Sequence, residues 1–391
     1  MDSLRGFQFR KDFHALSENS KHPSFIDYFA DLADPRREDR CNHKLIDILF
    51  IAVCAVICGA DGFTDMEEFG IAKETWLRQF LELPNGIPSH DTFGRVFARL
   101  KPAEFQQCFL SWIRAVSLVT EAGIVPIDGK KLRRSHNRSC GQRAIELVSA
   151  WARANRLMLG QVKVSGDSNE ITAVPQLLRL LEIKGCIVTV DALNCQKEIA
   201  SEILNQEADY VLSLKGNQGN IYKEVVRFFE SVVNDHTYGF QIRTHQTVDG
   251  EHGRIESRKY WHVNAPDHLK EQFDWPGLVS LGMCEARREI NEQASEEKRY
   301  YLSSLSVDAV RLAEAIRGHW SIENSLHWIL DVVFREDDSR VRVGHAAENF
   351  ALVRRIALNL LQQEKTLKRG VKTKRLKAAL DDSYLLKVLN T

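Results

Sequence analysis

The sequence predicts a mixed α/β protein, with an all-helical region before its sheet and a β-rich stretch set into its second half. Three observations carry this. Residues 1 to about 120 read as helical throughout. Ile124–Ile127, Ala144–Trp151 and Leu157–Val164 then form three consecutive strand-like runs with short polar connections. After them, helical and strand-like segments alternate, as in a sheet covered by helices.

The helical region opens with Leu45–Cys58, an apolar run interrupted only by Asp47, and continues with Asp65–Leu83. Pro84-Asn-Gly-Ile-Pro88 breaks the pattern, and Ser89 is placed to cap the next helix. Pro102 divides SHDTFGRVFARL from AEFQQCFLSWIRAV, a pair readable as a DNA-binding helix-turn-helix or as an ordinary αα-hairpin. After the three strands come a helix over Asn169–Ile183, a buried strand CIVTVDA (186–192), a helix over Gln196–Gln206 and a strand DYVLSLK (209–215). The order is βββαβαβ. Alternating stretches recur at 243–263, 278–290 and 299–305, and helices resume from Val307 to about Val333 and over His345–Gln363. The stretch KTLKRGVKTKRLK (365–377) is basic without an acidic residue. The domain organisation expected is 1–120 helical and DNA-end binding, 121–235 first part of a catalytic core, 236–305 β-rich insertion, and 306–391 second part of the core.

At 391 residues, 44% hydrophobic and 27% charged, the composition is that of an ordinary globular chain. The net charge is zero, which neither demands nor excludes nucleic acid, because the distribution of charge matters more than its sum. The N-terminal MDSLRGFQFRKDF lacks the apolar core of a signal peptide. Leu45–Cys58 is too short to span a membrane. The eight cysteines (41, 54, 58, 108, 140, 186, 195, 284) form no CxxC pair and no zinc-ligand spacing, so free thiols and a cytoplasmic location are expected.

In IVPIDGKKLRRS (124–135) the first strand runs onto Asp128, followed at once by Gly129 and a row of bases. Asp-Gly is a strong hairpin signal, so a turn is one reading. A metal ligand at a strand end, beside phosphate-seeking Lys130, Lys131, Arg133 and Arg134, is the other. The strand at 186–192 repeats the pattern with Asp191, which could equally cap the following helix. If these two strands are neighbours, the two carboxylates end side by side and repel unless a divalent cation neutralises them. A third oxygen ligand is available in AIRGHWSIENSLHWILDVVF: Ile322, Leu326, Ile329 and Val333 give the core stripe, with Glu323 at its edge. His319 and His327 stand at i−4 and i+4 from that glutamate. HxxxExxxH is not the HExxH of zinc enzymes, and a surface glutamate paired with an arginine is the competing reading. Two aspartates and a glutamate suit two Mg²⁺ or Mn²⁺ ions and phosphoryl transfer.

At these residues the sequence resembles the DDE transposases of bacterial insertion sequences, more narrowly the ISAs family with its H-repeat-associated proteins. The stretches that carry the resemblance are DPRRxDRxxHKLxDIL, NGIPSHDTFGRVF, IDGKxLR, ExxxVPxLL, DALxCQKxIA, DYxLxLKGNQ, HGRxExR and HWxIENxLHWxLDVxFxEDxSR. They run in order from Asp34 to about Asn359. The resemblance implies an RNase-H-like core with Asp128, Asp191 and Glu323 as its acidic, metal-binding trio. It also implies double-stranded DNA (element ends and target) as partner, a homodimer in the active complex, and a bacterial, nucleoid-associated protein. Lys130, Arg133, Lys215, Arg254, Arg258, His319 and Trp320 are the expected DNA-contacting residues. Related transposases carry Tyr and Arg before the glutamate and Lys after it; here those places hold Ile316, His319 and Leu330–Asp331. A nuclease that only hydrolyses DNA and a catalytically inactive DNA-binding derivative are the alternatives.

Overall fold

A computed structural model describes residues 25–37, 41–116, 123–136, 143–165, 168–235, 241–251, 254–290 and 293–391. The N-terminal MDSLRGFQFRKDF, Cys140, and His252–Gly253 of HGRIESR lie outside the described residues. Among the described residues, no single helix is long and apolar enough to cross a membrane.

The helical region contains α1 (Leu45–Cys58), α2 (Phe63–Ala72), α3 (Glu74–Leu77), α4 (His90–Arg99) and α5 (Pro102–Val116). The expected helix over Asp65–Leu83 is thus two helices, the second a single turn. α1 is buried along almost its whole length, as an apolar surface on every side requires. Ser89 caps α4 by accepting from Thr92 N, as its position before the helix predicts.

Among the described residues, nine strands then form one sheet. They are β1 (Ile124–Lys131), β2 (Glu146–Ala152), β3 (Leu157–Lys163), β4 (Ile187–Val190), β5 (Asp209–Leu214), β6 (Ile242–Glu251), β7 (Arg254–Asn264), β8 (Ser280–Ile290) and β9 (Gln293–Ser303). Their spatial order is β3-β2-β1-β4-β5-β9-β8-β7-β6. β1, β2 and β3 are an antiparallel meander, whereas β1, β4 and β5 run parallel, with α6 (Glu170–Leu178) and α7 (Lys197–Asn205) between the strands. The β-rich stretch joins the same sheet: β9 pairs antiparallel with β5, setting Leu212 opposite Leu302. The alternation at 243–263 resolves into β6 and β7 of a hairpin. α8 (Asn220–Asp235) fills the interval before β6, which the sequence reading left unassigned, and α9 (Asp267–Phe273) follows β7.

After the sheet come α10 (Ala309–Ile322), a π-helical turn (Glu323–His327), α11 (Trp328–Val332), α12 (Ala346–Gln363), α13 (Val371–Leu380) and α14 (Asp382–Leu389). α10 lies on β1 and β4, and α12 runs between the helical region and β3. Fifteen residues of α12 are buried, including Phe350, Leu358 and Leu361; each large apolar side chain so removed from water contributes about 1.5–3 kcal/mol. Two asparagines of α12 tie it to backbone: Asn349 Nδ2 donates to Phe97 O and Leu100 O, and Asn359 exchanges two hydrogen bonds with Met158.

The basic C-terminal stretch departs from expectation. Its second half, from Val371, opens α13, and two of its cations face inward. Lys374 Nζ donates to Leu361 O (2.8 Å) and Glu364 O, while Arg375 donates to Val56 O and Val333 O and lies over the Phe334 ring. These are carbonyls at the ends of helices, which need donors when buried.

Candidate active site

Asp128 sits where β1 changes partners. From Ile124 to Pro126 the strand pairs parallel with β4, Ile124 opposite Ile187. From Ile127 to Lys131 it pairs with β2. Carrying the β4 register on by two residues sets Asp128 level with Asp191, directly after the end of β4. Asp128 is therefore inside a strand and not in a turn: β2 continues the ladder where β4 stops. Glu323 arrives from the other side, at the start of the π-helical turn after α10. Such turns are frequent at functional sites.

All three carboxylates line one cavity of about 480 Å³, together with Thr189, Lys215, Arg299, Tyr301, His319 and Trp320. The carboxyl of Asp128 is pushed up to about 7, first by burial and then by the charges of Asp191 and Glu323. Glu323 is 65% exposed. Asp191 Oδ1 accepts from Asn194 N and Nδ2, both at 3.0 Å, so Asp191 shapes the turn before α7 as well as facing the cavity.

His327, four residues beyond Glu323, reaches the same point: its Nδ1 is 3.6 Å from Asp128 Oδ2 and 3.6 Å from Glu323 Oε2. The imidazole is neutral, its pKa pushed down to about 3 by burial and by the nearby cations Lys130 and Arg355. His319 forms a hydrogen bond with Thr189 Oγ1 (3.1 Å), and burial lowers its pKa, with Asp191 opposing the shift. One ligand atom each from Asp128, Glu323 and His327 lie within 4.8 Å of one another, so they fit around a single divalent cation at bonds of about 2.1 Å.

The expected DNA-contacting residues are placed unequally. Lys215 is exposed at the cavity, and Trp320, 46% exposed, stacks under the Arg299 guanidinium. Arg133 is 80% exposed, with Nε 3.1 Å from Asp337. Lys130, by contrast, is turned inward, because β1 alternates and Asp128 and Lys130 share a face. It is 7% exposed, at 2.6 Å from Asp331 and 3.1 Å from Asp337, above the buried Glu336–Arg355 pair. Arg258, expected to contact DNA, is 11% exposed and paired with Asp249 and Glu256 (both 2.6 Å). The carboxylates that claim the Lys130 charge are distant in sequence, whereas those that claim Arg258 lie two residues along its own strand and across the hairpin. Arg254 lies on β7 opposite Glu251 and Ile290, away from the trio in the strand order.

Three polar residues near the trio were not singled out as site residues from sequence. Arg299 had no signal beyond its place in an alternating strand. Glu170 and Asn194 stand in stretches that carry the family resemblance, but nothing in their spacing ties them to Asp128 and Asp191. Burial, and then a hydrogen bond with Glu146, raise the Glu170 carboxyl to about 7.

Two family profiles match the chain: a DDE_Tnp_1-associated region over residues 26–113, and the Transposase DDE domain over residues 120–360. It is 42% identical to "Putative transposase YncI" of Escherichia coli O157:H7, over 94% of each chain. With "H repeat-associated putative transposase YhhI" of Escherichia coli (strain K12) it shares 40% identity over 93% of this chain and 97% of that one. A looser likeness, at a TM-score of 0.43 and 11% identity, links 94% of it to 79% of a chain in "Cryo-EM structure of piggyBac transposase synaptic complex with hairpin DNA (SNHP)". With the domain profile covering well over half its length and two full-length relatives at or above 40% identity, the chain belongs to the DDE transposase family, alongside the H repeat-associated proteins.

Proposed function

We propose that this chain cleaves DNA at the ends of an insertion sequence and joins the freed 3′-OH to target DNA, with Asp128, Asp191 and Glu323 as the catalytic carboxylates. The observation that carries the reading is the convergence of the three on one cavity from two neighbouring parallel strands and a later helix. The order β3-β2-β1-β4-β5, antiparallel on one side of β1 and parallel on the other, supports an RNase-H-like core. On this reading residues 1–120 hold DNA ends, 121–235 and 306–391 form the core, and 236–305 are an insertion added to its sheet edge.

Two divalent cations, Mg²⁺ or Mn²⁺, bound by the trio would activate the attacking oxygen and stabilise the departing 3′ oxygen. The protein's own groups do the rest. Asp128 is fixed by the ladder of β1, and Asp191 by two hydrogen bonds from Asn194. Neutral His327, 3.6 Å from both Asp128 and Glu323, adds no positive charge that would compete for the carboxylates. Lys215 offers charge to phosphate oxygens at the cavity and Arg133 an exposed charge outside it, while the Trp320 indole, under an Arg299 guanidinium already paired with Glu297, offers a face on which a base stacks.

The test is cleavage of labelled DNA carrying the native flanking sequence. Nicks at the element boundary with Mg²⁺, none without it, and joined products on longer incubation are expected. Cleavage without joining would reduce the function to hydrolysis. Metal-independent cleavage would remove the trio from the chemistry.

A further inference from the structure

Glu170, at the first turn of α6, lies outside the trio but touches both of its aspartates through intermediates. On one side the route is a side chain. The fully buried Asn194 donates from Nδ2 to Asp191 Oδ1 (3.0 Å) and to Glu170 Oε2 (3.2 Å) at once. Its own Oδ1 has no hydrogen-bond partner. Both neighbours are carboxyl acceptors, so the amide must turn its NH₂ towards them, and the unpartnered oxygen is the consequence.

On the other side the route is backbone. The Glu170 carboxyl lies so close against Gly129, the residue after Asp128, that a Cβ there would overlap it. Gly129 is paired in the β1–β2 ladder opposite Val148. Its missing side chain is therefore what lets Glu170 lie on the strand at this point. The carboxyl also hydrogen-bonds Glu146 of β2, which tethers it to the next strand.

We propose that Glu170 is a positioning residue: through Asn194 it fixes the direction of the Asp191 carboxylate, and by lying on Gly129 it fixes the segment of β1 that carries Asp128. This rests on the reading that the trio holds divalent cations. Ligand orientation is set by such outer contacts, whose loss typically weakens metal binding about 10- to 100-fold.

The test is Mn²⁺ titration of the full chain, followed by the electron paramagnetic resonance of free Mn²⁺, with gel-shift affinity for DNA measured in EDTA beside it. Glu170→Ala should bind Mn²⁺ about tenfold or more weakly, with DNA affinity in EDTA unchanged. Glu170→Gln should stay near wild type, because its amide oxygen accepts from Asn194 and its NH₂ donates to Glu146. Gly129→Ala should weaken Mn²⁺ binding as Glu170→Ala does, and the double variant Gly129→Ala/Glu170→Ala should be no worse than Glu170→Ala alone. Wild-type Mn²⁺ affinity in Glu170→Ala, or additive losses in the double variant, would overturn the proposal. Equal losses in Glu170→Gln and Glu170→Ala would also overturn it, since charge rather than position would then matter. Asp191→Asn separates the two levels. If it too binds Mn²⁺ like wild type, the cation reading of the trio fails; if it alone loses Mn²⁺, only the positioning role fails. Should Glu170→Ala not fold, Glu170→Gln against Gly129→Ala decides.

Discussion

Asp128→Asn should make the metal-free protein more stable, by a margin that grows from about pH 4 to pH 7. The folded Asp128 carboxyl has a pKa of about 7 against 3.8 for an unperturbed one. The folded chain therefore binds more protons than the unfolded chain between those values. Stability falls as pH rises from about 4 to 7, and the full penalty stands above 7. Roughly three pKa units at about 1.36 kcal/mol each correspond to about 4 kcal/mol. The side chain is 25% exposed, so water screens part of this, and about 2–3 kcal/mol is the figure to expect. Unfolding entropy of about 2.1 cal/mol/K per residue over the chain converts this to a Tm gain of about 3 °C. The assay is thermal unfolding in EDTA at pH 5 and pH 8. The variant should lead at both, by about two to three times as much at pH 8 as at pH 5. With Mn²⁺ at 100 times Kd the variant's lead should vanish, since only wild type gains the binding energy, about 2.7 kcal/mol. A variant advantage that is absent at pH 8, or the same size at pH 5, would refute the electrostatic account of Asp128.

Glu323→Gln should abolish nicking while leaving gel-shift affinity for element ends nearly intact, because it removes one metal-facing charge and no cation; full nicking by this variant would take Glu323 out of the trio. Arg375→Ala should destabilise the fold by about 2–4 kcal/mol, since it strips donors from buried carbonyls, with DNA affinity of the folded fraction unchanged; unfolding in urea and gel shifts together check it. Arg133→Ala and Lys215→Ala should each flatten the slope of log affinity against log salt by about 0.9, whereas Arg258→Ala, removing a side chain only 11% exposed and held between two carboxylates, should change the slope by much less. Equal slopes across all three variants would show that exposure in the free protein does not select the phosphate contacts.

The parts of the structure legible in the sequence are those governed by short-range pattern. β4 was readable because four β-branched residues in a row suit a strand buried on both faces, and α4 because Ser89 announces its cap. The aspartates were readable as candidates because a charge at the end of an apolar run is costly without a purpose. What pattern could not give was partnership. β1 continues past Asp128 because β2 pairs with it, a contact set by register. The strands over 242–303 carry ordinary alternation, which fixes their faces but not the sheet they join; the β5–β9 pairing decides that. Lys130, Arg258 and Lys374 read as free bases in the sequence, and the residues that neutralise them lie on other elements or across a hairpin. The π turn was hidden for a related reason: Glu323 to His327 keep helical periodicity, so only the backbone shows the extra residue in the turn.

The paired hydrogen bonds between Asn359 and Met158 bear on how two copies of this chain can meet. β3 is the outermost strand on its side of the sheet, and an outermost strand offers its peptide groups to any strand that arrives. At Met158 the Asn359 amide donates to the carbonyl and accepts from the N–H, as the peptide of a tenth strand would. Two residues before Leu361, α12 thus carries a side chain that imitates backbone, and four residues after Asn359 the Gln363 amide takes the Asn155 carbonyl in the adjoining turn. A foreign strand would have to displace a buried helix to add there, so edge-to-edge growth of the sheet, the route to aggregation for many open sheets, is closed on this side.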